Sequence, residues 1–277
     1  MKNFPLLPRP DKTDKRNYGH TLIVAGSDDM AGAAVLTTRA ALISGSGLVT
    51  LAVPKSIRPM LLKLLPEALF LEPTLESIEA YVARRGINIL AIGPGLTTVP
   101  KIARRVRQWV SKIRVPIILD ADGLNAFEGR WGLLKKHNGP LILTPHAGEF
   151  KRLFGFKMPS QEKERIGLAK KVCKPYHGVL VMKGHRTVVA DAHSHYVNRT
   201  GNPGLAKGGA GDVLTGILAA FMAQGLEPFQ AAKWAVYCHG LAGDEVAARK
   251  SQLSVLASDL IEALPGVYKS LSRLRRE

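Results

Sequence analysis

Short apolar runs rich in β-branched residues alternate with amphipathic stretches along almost the whole chain. Thr21–Ala25 reads as a strand, Ala31–Ser44 as a helix and Leu48–Val53 as a second strand. Ile89–Ile92, Pro116–Leu119, Leu141–Leu143 and Val179–Met182 are further apolar runs of strand length, each closed by Gly, Pro or Asp. Amphipathic segments such as Pro100–Ser111 and Ser160–Cys173 lie between them. Strand–helix alternation of this kind predicts an α/β fold, a mainly parallel sheet covered by helices on both faces. Near residues 186–197 two closely spaced strands, Thr187–Ala190 and His195–Val197, predict a small antiparallel edge. Gly211–Gln224, Pro228–Ala247 and Leu256–Leu274 then read as helices. No repeat, low-complexity tract or linker interrupts the pattern, so residues 1–277 are expected to form one domain.

The 277 residues suffice for a large core, and 46% hydrophobic with 22% charged residues argues against disorder. The N-terminal segment has no apolar stretch of signal-peptide length, and no run approaches the roughly 20 residues that span a bilayer. A cytoplasmic location without a membrane partner is expected. Cys173 and Cys238 lie far apart, with no CxxC or paired-His spacing, and read as small core residues. A formal net charge of +17 is the unusual global feature. It concentrates at Lys101, Arg104, Arg105, Arg107, Lys112 and Arg114, and at Lys269, Arg273, Arg275 and Arg276. Such charge attracts polyanions, or it marks the solvated helix faces of a basic protein. No nucleic-acid-binding motif accompanies it, so no nucleic-acid partner is expected.

In open α/β sheets, ligands bind beyond the carboxyl ends of the strands. The segments there are AGSDDMAG, GPG, DADGLNA, TPHAGEF and KGHRT. Downstream lies LAKGGAGDVLTGILA, residues 205–219. Its glycines free the backbone to turn and to approach a phosphate, and Asp212 falls at the start of an apolar helix whose free amides can hold an anion. A glycine-rich turn with an Asp cap has the same appearance. His146 reads as a structural hydrogen-bonding residue or as a ligand contact at the sheet edge. Lys183–Thr187 reads as a basic β-turn. Asp122 is a cap or a site-lining residue, and Asp28 and Asp29 are caps of the first helix or ligand contacts. No GxSxG, GxxxxGK[ST] or HExxH motif is present, and GPG is no dinucleotide fingerprint.

GGAGD resembles the GxGD signature of the ribokinase superfamily, in which glycine amides form an anion hole and the Asp is the base. In order, AGSDDMAGAA, AIGPGL, ILDADGLNA, LTPHAGEF, VMKGHRT and NPGLAKGGAGDVLTG are similar to motifs of the ADP-dependent (S)-NAD(P)H-hydrate dehydratase family, from about Thr21 to Ala248. The resemblance implies a ribokinase-like three-layer α/β/α sandwich and a lyase that repairs nicotinamide cofactors. Hydrated NADH or NADPH (NADHX, NADPHX) is dehydrated as ADP goes to AMP and phosphate. It implies Asp212 as catalytic base and substrate contact, and Ala41, Gly95 and His146 against the hydrated dinucleotide. Lys183, Gly184, His185, Arg186, Thr187 and Gly211 are implied to bind the nucleotide. Mg2+ on the phosphates without a dedicated protein metal site, a homotetramer, no fused epimerase domain and a separate NAD(P)H-hydrate epimerase complete the expectation. A hydroxyethylthiazole-kinase-like enzyme shares GxGD, and a non-catalytic nucleotide- or RNA-binding protein could keep the fold.

Overall fold

Side-chain alternation within the strands decides the architecture. In β1 (His20–Val24), Ile23 enters the apolar layer on one face of the sheet, while Leu22 and Val24 enter the layer on the other. A strand buried on both faces must be covered by helices on both, as in a parallel α/β sheet. The computed structural model describes residues 4–5, 9–176 and 178–273. Its sheet has nine strands in the order β3-β2-β1-β4-β5-β6-β7-β8-β9. They are β1, β2 (Leu48–Ala52), β3 (Leu69–Leu71), β4 (Ile89–Ile92), β5 (Ile117–Leu119), β6 (Leu141–Leu143), β7 (Val179–Met182), β8 (Val188–Ala190) and β9 (His195–Val197). β1 to β7 pair in parallel, whereas β7–β8 and β8–β9 are antiparallel.

One face carries α1 (Ala31–Ile43), α8 (Ala210–Ala223), α9 (Pro228–Arg249) and α10 (Ala257–Arg273). The other carries α3 (Leu75–Arg85), α4 (Pro100–Lys112), α6 (Ala147–Phe154) and α7 (Glu162–Cys173). α2 (Arg58–Leu64) and the four-residue α5 (Asp122–Asn125) complete the set. This is the expected three-layer sandwich with an antiparallel edge. The order reverses at β1, whose neighbours are β2 and β4, so the loops leaving β1 and β4 diverge and open a crevice.

The segment from α2 to α3 does not announce itself in the apolar pattern. Met60, Leu62 and Leu64 of α2 and Leu69 of the edge strand β3 are exposed, which blurs any periodicity. α3 is set by its ends, a Thr74–Ser77 capping box and a left-handed Gly86. Cys173 and Cys238 are free and buried, as read from their spacing. Of the basic segment in α4, Arg107 donates to Ala126 O and Lys112 pairs with Glu79. Leu274, the expected end of the last helix, and Arg275 and Arg276 lie outside the described residues.

Candidate active site

The residues that follow three neighbouring parallel strands converge: Asp120 after β5, Thr144 after β6 and Lys183 after β7. Lys183 Nζ lies 2.6 Å from Asp120 Oδ1 and 3.6 Å from Glu149 Oε2 on α6. Asp120 is 1% exposed, and its oxygens also accept from Thr144 Oγ1 and Thr215 Oγ1, each at 2.8 Å. Burial pushes the Lys183 ammonium towards neutrality, but the attraction of Asp120 and Glu149 outweighs it and holds the group above its usual range.

α8 begins next to this cluster. Gly209 at its N-cap is left-handed, with φ +87°, and Asp212 sits in the first turn. The Ala210 amide donates to Lys207 O at 3.4 Å; the amides that follow it in that turn and the helix dipole make it a place for an anion. Gly211 is close to both charges: a Cβ there would lie 3.4 Å from Lys183 Nζ and 3.9 Å from Asp120 Oδ2. Burial, then repulsion from Asp120, raises the Asp212 carboxyl to about 7, with Glu149 adding to the rise and Lys183 opposing it. Glu149 is likewise raised, by burial first. One ammonium thus faces three carboxylates and is paired most tightly with the one farthest from solvent.

A cavity of about 720 Å³ opens beside this turn, within the usual size of small-molecule sites. Lys183, Gly184, His185, Arg186, Thr187 and Gly211 all line it, so the expected nucleotide contacts are brought together. The β7–β8 turn is held from outside: Arg165 Nη1 donates to His185 O at 3.0 Å, and Glu162 pairs with Arg186 and Arg199. Thr187 Oγ1 closes the turn on Gly184 O at 2.9 Å.

Of the residues expected against the dinucleotide, Asp212 adjoins the Lys183 cluster, while Gly95 and Ala41 are buried. His146 is the N-cap of α6; its Nδ1 accepts from the amides of Gly148 and Glu149, which leaves the ring proton on Nε2, 3.2 Å from Glu149 Oε1. With its side chain 52% exposed, it combines a structural cap with a face open to solvent. Gly95 is buried in the β4–α4 loop at φ +67°, where a Cβ would lie 2.9 Å from both Ala33 Cβ and Met30 O. Glycine is therefore required there by packing within the chain. Ala41 lies elsewhere: it is 0% exposed near the end of α1, packed against Gly216 of α8, and offers no surface to a ligand in this chain. Asp122 spends its carboxylate on Thr97 N and Asn125 Nδ2, at 2.9 and 3.0 Å. The N-cap of α1 is Met30, without a side-chain bond, so neither Asp28 nor Asp29 caps that helix.

Three participants were not singled out from sequence. Glu149 had a signal, a His-x-x-Glu capping pattern after Pro145. Asp120 opens DADGLNA at the end of a strand, where polar residues commonly serve as caps and turns. His239, which lines the cavity from α9, looks in sequence like a core histidine of an apolar helix. Among the described residues, no group of three or more His, Cys, Asp or Glu could hold a metal by itself.

Residues 21–266 match the family model described as NAD(P)H-hydrate dehydratase. The chain is 39% identical over 282 residues to a bifunctional NAD(P)H-hydrate repair enzyme Nnr of Moorella thermoacetica, covering 96% of this chain and 52% of that one. It is 35% identical over 265 residues to an ADP-dependent (S)-NAD(P)H-hydrate dehydratase of Bacillus subtilis, covering 95% and 94%. The crystal structure of an ADP/ATP-dependent NAD(P)H-hydrate dehydratase from Bacillus subtilis, co-crystallised with ATP/Mg2+, matches with a TM-score of 0.82 at 34% identity, over 96% and 95% of the two chains. The chain thus spans about half the length of the bifunctional relative and nearly all of the Bacillus one.

Proposed function

The chain belongs to the NAD(P)H-hydrate dehydratase family, and from that premise we propose that it is a lyase that returns NADHX and NADPHX to NADH and NADPH while converting ADP to AMP and phosphate. The observation that carries this reading is Asp212: a carboxyl raised to about 7, in the first turn of a helix that borders a nucleotide-sized cavity.

Hydroxide is a poor leaving group and phosphate a good one, so the hydroxyl on the reduced ring is first phosphorylated. Asp212 takes the hydroxyl proton as that oxygen attacks the β-phosphorus of ADP. The bond from the β-phosphorus to the oxygen shared with the α-phosphate breaks, and AMP leaves. The amides of Gly209, Ala210 and Gly211, with Lys183 beside them, stabilise charge on the transferred group. The ring nitrogen lone pair then expels phosphate, and loss of a proton from the adjacent ring carbon restores the dihydronicotinamide.

Magnesium fits only as a guest of the nucleotide, because among the described residues no cluster of His, Cys, Asp or Glu could hold it and the Asp120 carboxylate is occupied by Lys183, Thr144 and Thr215. Bound on the phosphates, it would screen their charge. His146, beside Glu149, is the proposed contact for the hydrated ring, and Lys183–Thr187 with Gly211 the proposed nucleotide contacts. An epimerase for the same hydrates, a homotetrameric assembly and a cytoplasmic location complete the proposal; no helix among the described residues is long and apolar enough to cross a membrane. The test is AMP release from ADP that depends on added NADHX. Transfer of phosphate to a stable alcohol would favour the small-molecule-kinase reading, and AMP release without NADHX would contradict coupled dehydration.

A further inference from the structure

We propose that one face of α9 is the positioning element of the donor pocket, with His239 setting the first turn of α8 for phosphoryl transfer and Asp244 setting the loop over residues 198–202 for nucleotide binding. The inference rests on the cavity's being the nucleotide site.

His239, Gly240, Gly243 and Asp244 recur at helical spacing on a single face of α9. His239 Nε2 lies 2.9 Å from Ala210 O. A carbonyl can only accept, so Nε2 carries the proton and the ring donates. Ala210 opens α8, directly before Gly211 and Asp212, and this bond ties the first turn of α8 to the middle of another helix. Burial above all, helped by the Lys183 charge, lowers the imidazole to about 4, so the donor stays neutral at physiological pH. It orients the turn without adding a cation to the carboxylate cluster.

The loop that forms the next wall of the cavity also turns its polar side chains towards α9. Asn198 Nδ2 donates to Val236 O at 3.1 Å and Thr200 Oγ1 to Tyr237 O at 3.0 Å. Asn202 Nδ2 donates to Gly243 O and to Asp244 Oδ1, each at 2.9 Å, and Gly201 N donates to Asp244 Oδ2 at 2.8 Å. Gly240 permits the approach, since a Cβ there would collide with Thr200. Asp244 is the one charged anchor in this set, and bonds to a charged acceptor are the strong ones. The loop is therefore shaped before a nucleotide arrives, which lowers the entropic cost of binding.

The experiment combines steady-state kinetics with ADP and NADHX, calorimetric ADP binding and thermal melting on each variant. His239→Leu should lower kcat roughly 10–100-fold, the scale of a small misplacement of reacting groups. Its KM for ADP should rise less than kcat falls, with one ADP still bound per chain, because the loop over residues 198–202 keeps its Asp244 anchor. His239→Gln keeps an N–H within reach of Ala210 O and should recover most of the loss. Asp244→Ala should show the opposite split, with Kd and KM for ADP raised about tenfold and kcat within about threefold. Should the leucine variant not fold, His239→Asn, polar but too short to reach Ala210, must show the same loss of kcat; Asp244→Asn likewise stands in for the alanine variant.

A folded His239→Leu protein with normal kcat would overturn the proposal. So would glutamine no better than leucine, or equal effects on kcat and KM at both positions. If the wild-type protein binds no ADP, the nucleotide reading of the cavity fails first and takes this inference with it.

Discussion

Lys183 Nζ lies 2.6 Å from Asp120 Oδ1, whereas Asp212, which feels the same cation, has no ion-pair partner among the described residues. The pairing leaves Asp212 with burial and like-charge repulsion as its dominant influences, and these set its carboxyl at about 7. A base with that value is largely ionised just above neutrality and still takes a proton readily, which is what general-base catalysis at physiological pH needs.

A pH profile follows. Turnover should fall as pH drops through about 7 and Asp212 becomes protonated. Asp120→Asn removes a neighbouring negative charge and releases Lys183, so the acid limb should move to lower pH. Lys183→Met should move it to higher pH. The methionine variant should also lose about 3–5 kcal/mol in denaturant melts, because it strips the cation from the buried Asp120. Acid limbs that stay fixed in both variants would show that another group titrates.

Asp212 should also separate activity from stability. Its folded pKa is raised above the usual carboxylate value, so its contribution favours the folded state at low pH and is lost as pH rises through about 7. Asp212→Asn removes that penalty. At pH 8 it should melt above the wild type, by on the order of 3 kcal/mol, with the two curves converging near pH 4. The same substitution should cost roughly 10²–10⁴-fold in turnover while ADP still binds. An asparagine variant less stable than the wild type at pH 8 would count against the buried, repelled carboxyl.

The parallel strands, the three C-terminal helices and the antiparallel edge were legible in the chain because their side chains are buried, and burial leaves apolar runs. β3 was not legible, since three residues at an exposed edge leave too little pattern. At the site, GGAGD stands out by its adjacent glycines and acidic residue, whereas KGHRT by itself reads as a basic turn and gains a nucleotide role only from the family resemblance. The Lys183–Asp120 pair joins residues 63 apart, and the His239–Ala210 bond joins residues 29 apart. Long-range contacts of this kind leave no local signature. Ala41 shows the converse limit: a motif places a residue in order along the chain, but the α1–α8 packing decides whether it has a free surface.

Gly95 and His146 separate packing from contact. Gly95→Ala adds a Cβ 2.9 Å from Met30 O at a positive φ and should lower stability by about 1–3 kcal/mol. His146→Ala removes the N-cap of α6, at about 1 kcal/mol, and exposes Glu149. Both effects are read in thermal melts. In the folded His146→Ala protein, KM for NADHX should rise while the Kd for ADP stays within a few-fold. A change in ADP affinity alone would move His146 to the donor side of the site.

The central claim, phosphoryl transfer to a hydrated nicotinamide with Asp212 as base, is tested most directly by counting products in one reaction. Purified protein with NADHX and ADP should form NADH and AMP in equal amounts, with phosphate, and Asp212→Asn should suppress all three together. NADH formed without AMP, or AMP formed at the same rate by the asparagine variant, would contradict it.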